Sequence, residues 1–176
     1  MIIEKLLPQE FEDKIHKMIM GTSFPWHWNS ENIIPTTPDE DIFQMTHVFY
    51  LKQQVWSPYY SIANMIVGFF VEKTGVKVKR IVRIKANLIP NIVHKPEQLK
   101  NLEHSDVEPE KEGNFVTFVY YVMDSDGDTI MLDGSDTVSS PVKGNAIWFD
   151  SKLRHRSTVP TQHKRRVVIN FILEVE

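Results

Sequence analysis

The run Arg165–Val175 (RRVVINFILEV) limits the choice of folds most sharply. Alternation along a strand sends Val167, Ile169, Phe171, Leu173 and Val175 to one side. Arg166, Val168, Asn170 and Ile172 take the other. The first face is wholly apolar and the second nearly so. Both faces are therefore expected to be buried, as in a strand inside a layered sheet. An arginine on a buried face needs an anionic partner. That argument selects Arg166 over Arg165, because Arg166 lies opposite the apolar face.

Upstream, the pattern is one of short strands. Residues 78–89 alternate, with Val78, Arg80, Val82, Ile84, Ala86 and Leu88 against Ile81, Arg83, Lys85, Asn87 and Ile89. Arg83, Lys85 and Asn87 thereby share a face, either solvated or lining a polar interior. Further strands are expected at Phe43–Leu51, Phe115–Met123, Thr129–Leu132, Asp136–Ser139 and Ala146–Phe149, separated by Gly, Pro and Asp turns. Asp126-Gly127 reads as a hairpin turn. The acidic stretch around it is no calcium loop: its glycine is one place early, and Ser135 stands where that loop needs glutamate.

Two helices precede most of these strands. Pro8 opens the first, Phe11, Ile15, Met18 and Ile19 share one face, and Gly21 stops it. Ser57-Pro58 starts the second, whose stripe is Ile62, Met65, Ile66, Phe69 and Phe70, closed by Gly75. The expectation is a mainly β (α+β) chain, a sandwich or jelly roll with the N-terminal helices packed outside its larger sheet. The 176 residues suffice for one domain, with 1–75 as helical support and flanking strands and 76–176 as the core.

Composition narrows the chemistry. There are no cysteines, so thiolate metal sites, disulfides and cysteine nucleophiles are excluded. Net charge is −3 with both signs interspersed, which is no strong nucleic-acid signature. No apolar run is long enough for a membrane span. The first residues are too acidic, and their apolar part too short, for a signal peptide, so a cytoplasmic location is expected.

Any metal must then be held by histidine and carboxylate. His104 and Asp106 are two apart, a spacing that sends both side chains the same way on a strand. His155 follows about fifty residues later. Two imidazoles and one carboxylate suit a facial iron site with three open positions, and Arg166 suits the carboxylate of a co-substrate. His94 and His163 are set aside as ligands.

In this order, His-x-Asp, then His, then Arg, the chain resembles the Fe(II)/2-oxoglutarate-dependent dioxygenases. Thr117-Phe-Val-Tyr-Tyr121-Val-Met-Asp124 is similar to the Thr-x-x-x-Tyr-Leu-Asn strand of the prolyl-hydroxylase-like branch. Gly127-Asp128-Thr129 resembles its Gly-Glu-Thr turn, and Arg166-Val-Val-Ile-Asn170-Phe its closing strand. Phe24-Pro-Trp and Arg83-Ile-Lys-Ala-Asn87-Leu resemble small oxygenases of tailed phages and marine bacteria. Met123 and Asp126 depart from the branch pattern without touching the metal ligands.

The resemblance implies a double-stranded β-helix in which His104, Asp106 and His155 bind Fe(II). Arg166 pairs with the distal carboxylate of 2-oxoglutarate, Tyr121 assists it, and Asn87 and Asn170 join as cofactor-binding residues. It further implies O2 as co-substrate, ascorbate as reductant, and hydroxylation of an aliphatic C–H in a peptide, prolyl residues included, or in a small metabolite. A phage-encoded member would work in the host cytoplasm. The rivals are a cupin-like metalloenzyme that does not use 2-oxoglutarate and a non-enzymatic jelly-roll binding or virion-associated protein. Trp26, Trp28, Trp56, His94, Arg154 and Arg156 are candidates for the substrate mouth, with residues 90–103 as a lid.

Overall fold

A computed structural model describes residues 1–29, 43–91 and 102–176. In chain order the elements are β1 (Ile2–Ile3), α1 (Gln9–Ile19), β2 (His27–Asn29), β3 (Gln44–Leu51), β4 (Gln54–Val55), α2 (Tyr60–Thr74) and β5 (Val78–Pro90). They continue with β6 (Asn114–Tyr121), β7 (Thr129–Met131), β8 (Thr137–Ser139), β9 (Ala146–Asp150), β10 (His155–Ser157) and β11 (Arg165–Val175). The larger sheet runs β1-β9-β6-β11-β5-β3-β2, with β4 added to β3. The smaller runs β10-β7-β8, and the pairings in both are antiparallel. This is the jelly-roll, double-stranded β-helix architecture. Strands β1 to β3 complete the larger sheet, so the first 75 residues are built into it rather than appended.

The outer face of that sheet carries the main core. Ile15 and Ile19 of α1 and Ala63, Ile66, Val67 and Phe70 of α2 cluster with Phe118, Val167, Ile169 and Phe171. Phe70, Phe118 and Phe171 form one stack, with centroids 4.2 and 4.1 Å apart and rings nearly parallel. Burying such a ring contributes about 1.5–3 kcal/mol, enough to seat both helices on the sheet. Helix α2 ends where Gly75 adopts φ 71°, a left-handed stop that glycine takes without strain. The inner face packs Val119, Tyr121, Ile147, Phe149 and Val168 against Met131 of the smaller sheet.

As β11 requires, both its faces are covered, and Arg166 and Asn170 are buried while Arg165 is exposed. Strict alternation fails in β5. The register pairs Ile172 with Arg83 but Leu173 with Ile81, a bulge that leaves Val82 over. Ile81 accordingly packs with the outer core while Val82 joins Val107, Phe115 and Ile172. From Arg83 onward alternation holds, and Arg83, Lys85 and Asn87 line the inner cavity.

Asp126-Gly127 is not a hairpin. β6 and β7 belong to different sheets, so the turn is a crossover. Asp126 instead accepts the N–H groups of Thr161, Gln162 and His163 at 2.8, 2.8 and 3.0 Å and the Thr161 hydroxyl at 2.7 Å. It pins the loop that leads into Arg166. Burial opposes ionisation of its carboxyl, but these donors prevail and hold it well below the usual carboxylate range. Among the described residues, no helix is long and apolar enough to cross a membrane.

Candidate metal centre and co-substrate pocket

His104 and His155 meet as an antiparallel bridge outside the long strands. Each N–H donates to the other's carbonyl, at 3.0 and 2.9 Å. The Asp106 N–H donates to Ser151 O at 3.0 Å, tying the same segment to the turn before β10. One ligand atom from each of His104, Asp106 and His155 then lies within 4.8 Å of the others. Residues fifty apart in sequence thus converge because β10 and the 102–107 segment are laced together by backbone bonds.

The ring tautomers follow from the backbone. His104 Nδ1 lies 3.1 Å from Leu102 O, and His155 Nδ1 lies 3.0 Å from Leu153 O. A carbonyl only accepts, so each Nδ1 carries the proton and each Nε2 keeps its lone pair for a metal. Burial pushes the His155 pKa down, which keeps that ring neutral. Burial works against ionisation of Asp106, yet Arg83, His155 and Thr117 outweigh it and hold the carboxyl below its ordinary range. Both conditions for metal ligation are met.

Asp106 is held from several sides. Arg83 Nη2 donates to Oδ1 at 2.6 Å. Thr117 Oγ1 donates to Oδ2 at 2.9 Å and lies 2.9 Å from Ser151 Oγ, itself fully buried. Asn170 Nδ2 reaches Oδ2 at 3.4 Å, while its Oδ1 accepts from Arg83 at 3.4 Å. Oδ2 faces His155 Nε2 at 3.5 Å. Bonds of about 2.1 Å to one ion would place such neighbouring donors roughly 3 Å apart. The donor set and spacing therefore fit a divalent ion after small adjustments.

The cavity has a volume of about 390 Å³, and the triad, Arg83, Lys85, Asn87, Thr129, Arg156, Arg166 and Asn170 are in its wall. Arg166 is held rigidly, with Nε donating to Gly127 O and Nη2 to Thr129 Oγ1, both at 2.8 Å. Burial pushes its pKa down. No carboxylate ion-pairs with it among the described residues, so its charge is left for an anion.

Tyr121 lies one residue further back. Its hydroxyl is 3.2 Å from Thr129 Oγ1 and 2.9 Å from Ser139 Oγ, and it does not line the cavity. Burial raises its pKa. It braces Thr129, which in turn braces Arg166. Asn170 serves Asp106, and Asn87 accepts from Gln44 Nε2 at 2.6 Å. Of the mouth candidates, Arg156 lines the cavity, whereas Trp26, Trp28, Trp56 and Arg154 do not. His94 and most of the 90–103 segment lie outside the described residues.

Three supports escaped sequence reasoning: Arg83, Thr117 as a partner of Asp106, and Thr129. The signal for Arg83 was its shared face with Lys85 and Asn87. Thr117 and Thr129 stand in the motifs quoted for the resemblance, but their partners, Asp106 and Arg166, lie on elements distant in sequence.

No family model matches the chain, and no curated protein matches it in sequence. Solved structures do. An oxidoreductase of the 2OG-Fe(II) oxygenase family from Burkholderia pseudomallei superposes with a TM-score of 0.72 at 12% identity, covering 98% of this chain and 84% of that one. A Pseudomonas putida prolyl-4-hydroxylase gives 0.61 at 14% identity, covering 100% of this chain and 92% of that one. A prolyl hydroxylase from Trichoplax adhaerens, in complex with a hypoxia inducible factor peptide fragment, gives 0.65 at 14% identity, with coverage of 99% and 82%. The fold is thus that of the 2-oxoglutarate-dependent oxygenases, prolyl hydroxylases among them.

Proposed function

We propose that the chain is a single-domain Fe(II)- and 2-oxoglutarate-dependent oxygenase that hydroxylates an aliphatic C–H. The observation that carries this reading is a buried arginine that no carboxylate ion-pairs among the described residues, set in the same cavity as a His/Asp/His cluster. Either feature alone suits a rival. A metalloenzyme without 2-oxoglutarate leaves Arg166 without work, and a binding protein leaves the two imidazoles set beside Asp106 without work.

In this reading His104, Asp106 and His155 hold the metal, and Arg83 and Thr117 fix the carboxylate so that Oδ2 faces the ion. Bound Fe(II) with 2-oxoglutarate supplies the oxidising chemistry, in which O2 is consumed, succinate and CO2 form, and a C–H becomes C–OH. Arg166 orients the co-substrate through its distal carboxylate in a forked, charge-assisted contact. Thr129 and Gly127 O hold the guanidinium against rotation, and Tyr121 braces Thr129. Val119 and Val168 line the floor and limit water there.

The test is succinate formation from 2-oxoglutarate in the presence of Fe(II), ascorbate and O2. Succinate is expected from the wild type and absent from Asp106→Ala. Equal succinate from both would remove the metal assignment.

A further inference from the structure

The cavity wall holds a polar pair apart from the triad and Arg166. Gln44 of β3 and Asn87 of β5 both line it. Thr46 pairs with Asn87, so Gln44 stands diagonal to Asn87 on the same face of the sheet. Gln44 Nε2 donates to Asn87 Oδ1 at 2.6 Å, and Gln44 is only 7% exposed.

That single bond leaves a definite pattern. Gln44 keeps its carbonyl oxygen and Asn87 its amino group, and neither has a hydrogen-bond partner among the described residues. Neither atom is sealed inside the protein, so both open to the cavity. Exchanging O and N in both amides swaps the residues and keeps the pattern, one acceptor and one donor left over. The sheet does not need this bond, since the backbones of β3 and β5 are already paired from Met45 and Leu88 to Leu51 and Arg83. Two apolar side chains would close the wall without desolvating two amides.

The pair is also set off from the co-substrate anchor. Arg166 and Asn170 both belong to β11, and Asn170 reaches Asp106 of the triad at 3.4 Å. β5 neighbours β11, and β3 lies one strand further out. Gln44 and Asn87 therefore stand to one side of the line from Arg166 to the triad.

Resting on the oxygenase reading above, we infer that the substrate carries an amide, whose N–H donates to Gln44 and whose C=O accepts from Asn87. Water fills such a site until a ligand displaces it, and a ligand that cannot replace both bonds loses affinity. A carboxylate or phosphate brings acceptors alone and sets an oxygen against the Gln44 carbonyl. An ammonium brings donors alone and meets the Asn87 amino group. An amide supplies both kinds, on two atoms, to two side chains on two strands.

The experiment uses the full chain loaded with Zn(II) and saturating 2-oxoglutarate. Zn(II) has no redox chemistry, so the co-substrate stays intact. Zn(II)-dependent 2-oxoglutarate binding is scored first by calorimetry, and its absence refutes the oxygenase reading itself. The probes are titrated in either case, so the two readings fail separately. Two matched pairs are followed by ligand-observed NMR: 2-pyrrolidinone against γ-butyrolactone, and N-acetyl-L-alanine methylamide against N-acetyl-L-alanine methyl ester. Each ester replaces one N–H by oxygen in nearly the same shape. The first pair tests a free amide, the second a peptide bond. In at least one pair the amide is expected to bind about fivefold or more tightly, as one net hydrogen bond implies. Gln44→Met, of like length and with no polar end, should abolish that preference while 2-oxoglutarate still binds. Should Gln44→Met not fold, the side-chain amide resonance of Gln44 in the wild type must shift with the amide probe and less with its ester. No amide preference in either pair, a preference that survives Gln44→Met, or a Gln44 resonance that does not distinguish amide from ester overturns the inference.

Discussion

Gly127→Ala tests how tightly the Arg166 anchor is built. A Cβ at position 127 would lie 2.8 Å from Arg166 Cδ, 3.2 Å from Arg166 Cβ and 3.0 Å from the Thr158 carbonyl oxygen. Backbone strain plays no part, as Gly127 is not among the positive-φ residues. The Thr158 side cannot give way, because Thr158 N donates to Asp128 O at 3.0 Å and Asp128 N donates to Thr158 Oγ1 at 2.7 Å. Arg166 must move instead, away from the Gly127 carbonyl and Thr129 that hold it. Overpacking of this kind costs about 1–3 kcal/mol of stability. If the displaced guanidinium also loses one charge-assisted contact to 2-oxoglutarate, affinity falls about tenfold to a hundredfold. The assays are urea denaturation and calorimetric titration of 2-oxoglutarate into the Mn(II) protein. Mn(II) affinity should change little, since the triad is elsewhere. A variant with wild-type stability and wild-type 2-oxoglutarate affinity would refute the argument that this glycine exists to admit Arg166.

Gly68→Ala is the contrasting case: the site is exposed on α2 with nothing within 4 Å of the new Cβ, so thermal melting should show stabilisation by about 0.5–1 kcal/mol. His47 is buried, with Nδ1 2.8 Å from Pro25 O and Nε2 2.8 Å from Ser57 Oγ, and burial pushes its pKa down. A depressed folded-state pKa means the unfolded chain takes up the proton first, so stability is full above about pH 6.5 and declines as pH falls from there to the folded-state value. Urea midpoints at mildly acid and neutral pH should differ less in His47→Gln than in the wild type. Asp126→Asn removes the charge that accepts from the Thr161, Gln162 and His163 N–H groups, the Thr161 hydroxyl and the His163 ring, and should cost about 1–3 kcal/mol, read from denaturation at neutral pH where the wild-type carboxylate is ionised.

The double burial of β11 was legible from its own alternation, because one strand's pattern reports directly on both its faces. The same reasoning placed Arg83, Lys85 and Asn87 together but put Ile81 with them. The bulge at Val82 reverses the facing before Arg83, and a bulge leaves no mark in a run of apolar and basic residues. That His104, Asp106 and His155 form a cluster was readable because few residue types can ligate a metal once cysteine is absent. Asp106's partners were not, since Thr117 and Arg83 reach it from strands whose register only the folded sheet defines. Tyr121 shows the limit of carrying a role across by resemblance. It stands on the expected strand, yet Thr129 fills the space between its hydroxyl and the cavity.

The central claim is that one cavity binds a metal through His104, Asp106 and His155 and a dicarboxylate through Arg166. Calorimetric titration of 2-oxoglutarate with and without Mn(II) tests both halves at once. Binding is expected with Mn(II), little or none without it, and loss in both His155→Ala and Arg166→Ala while the variants remain folded. Binding that is indifferent to the metal, or absent in the Mn(II)-loaded wild type, would contradict it.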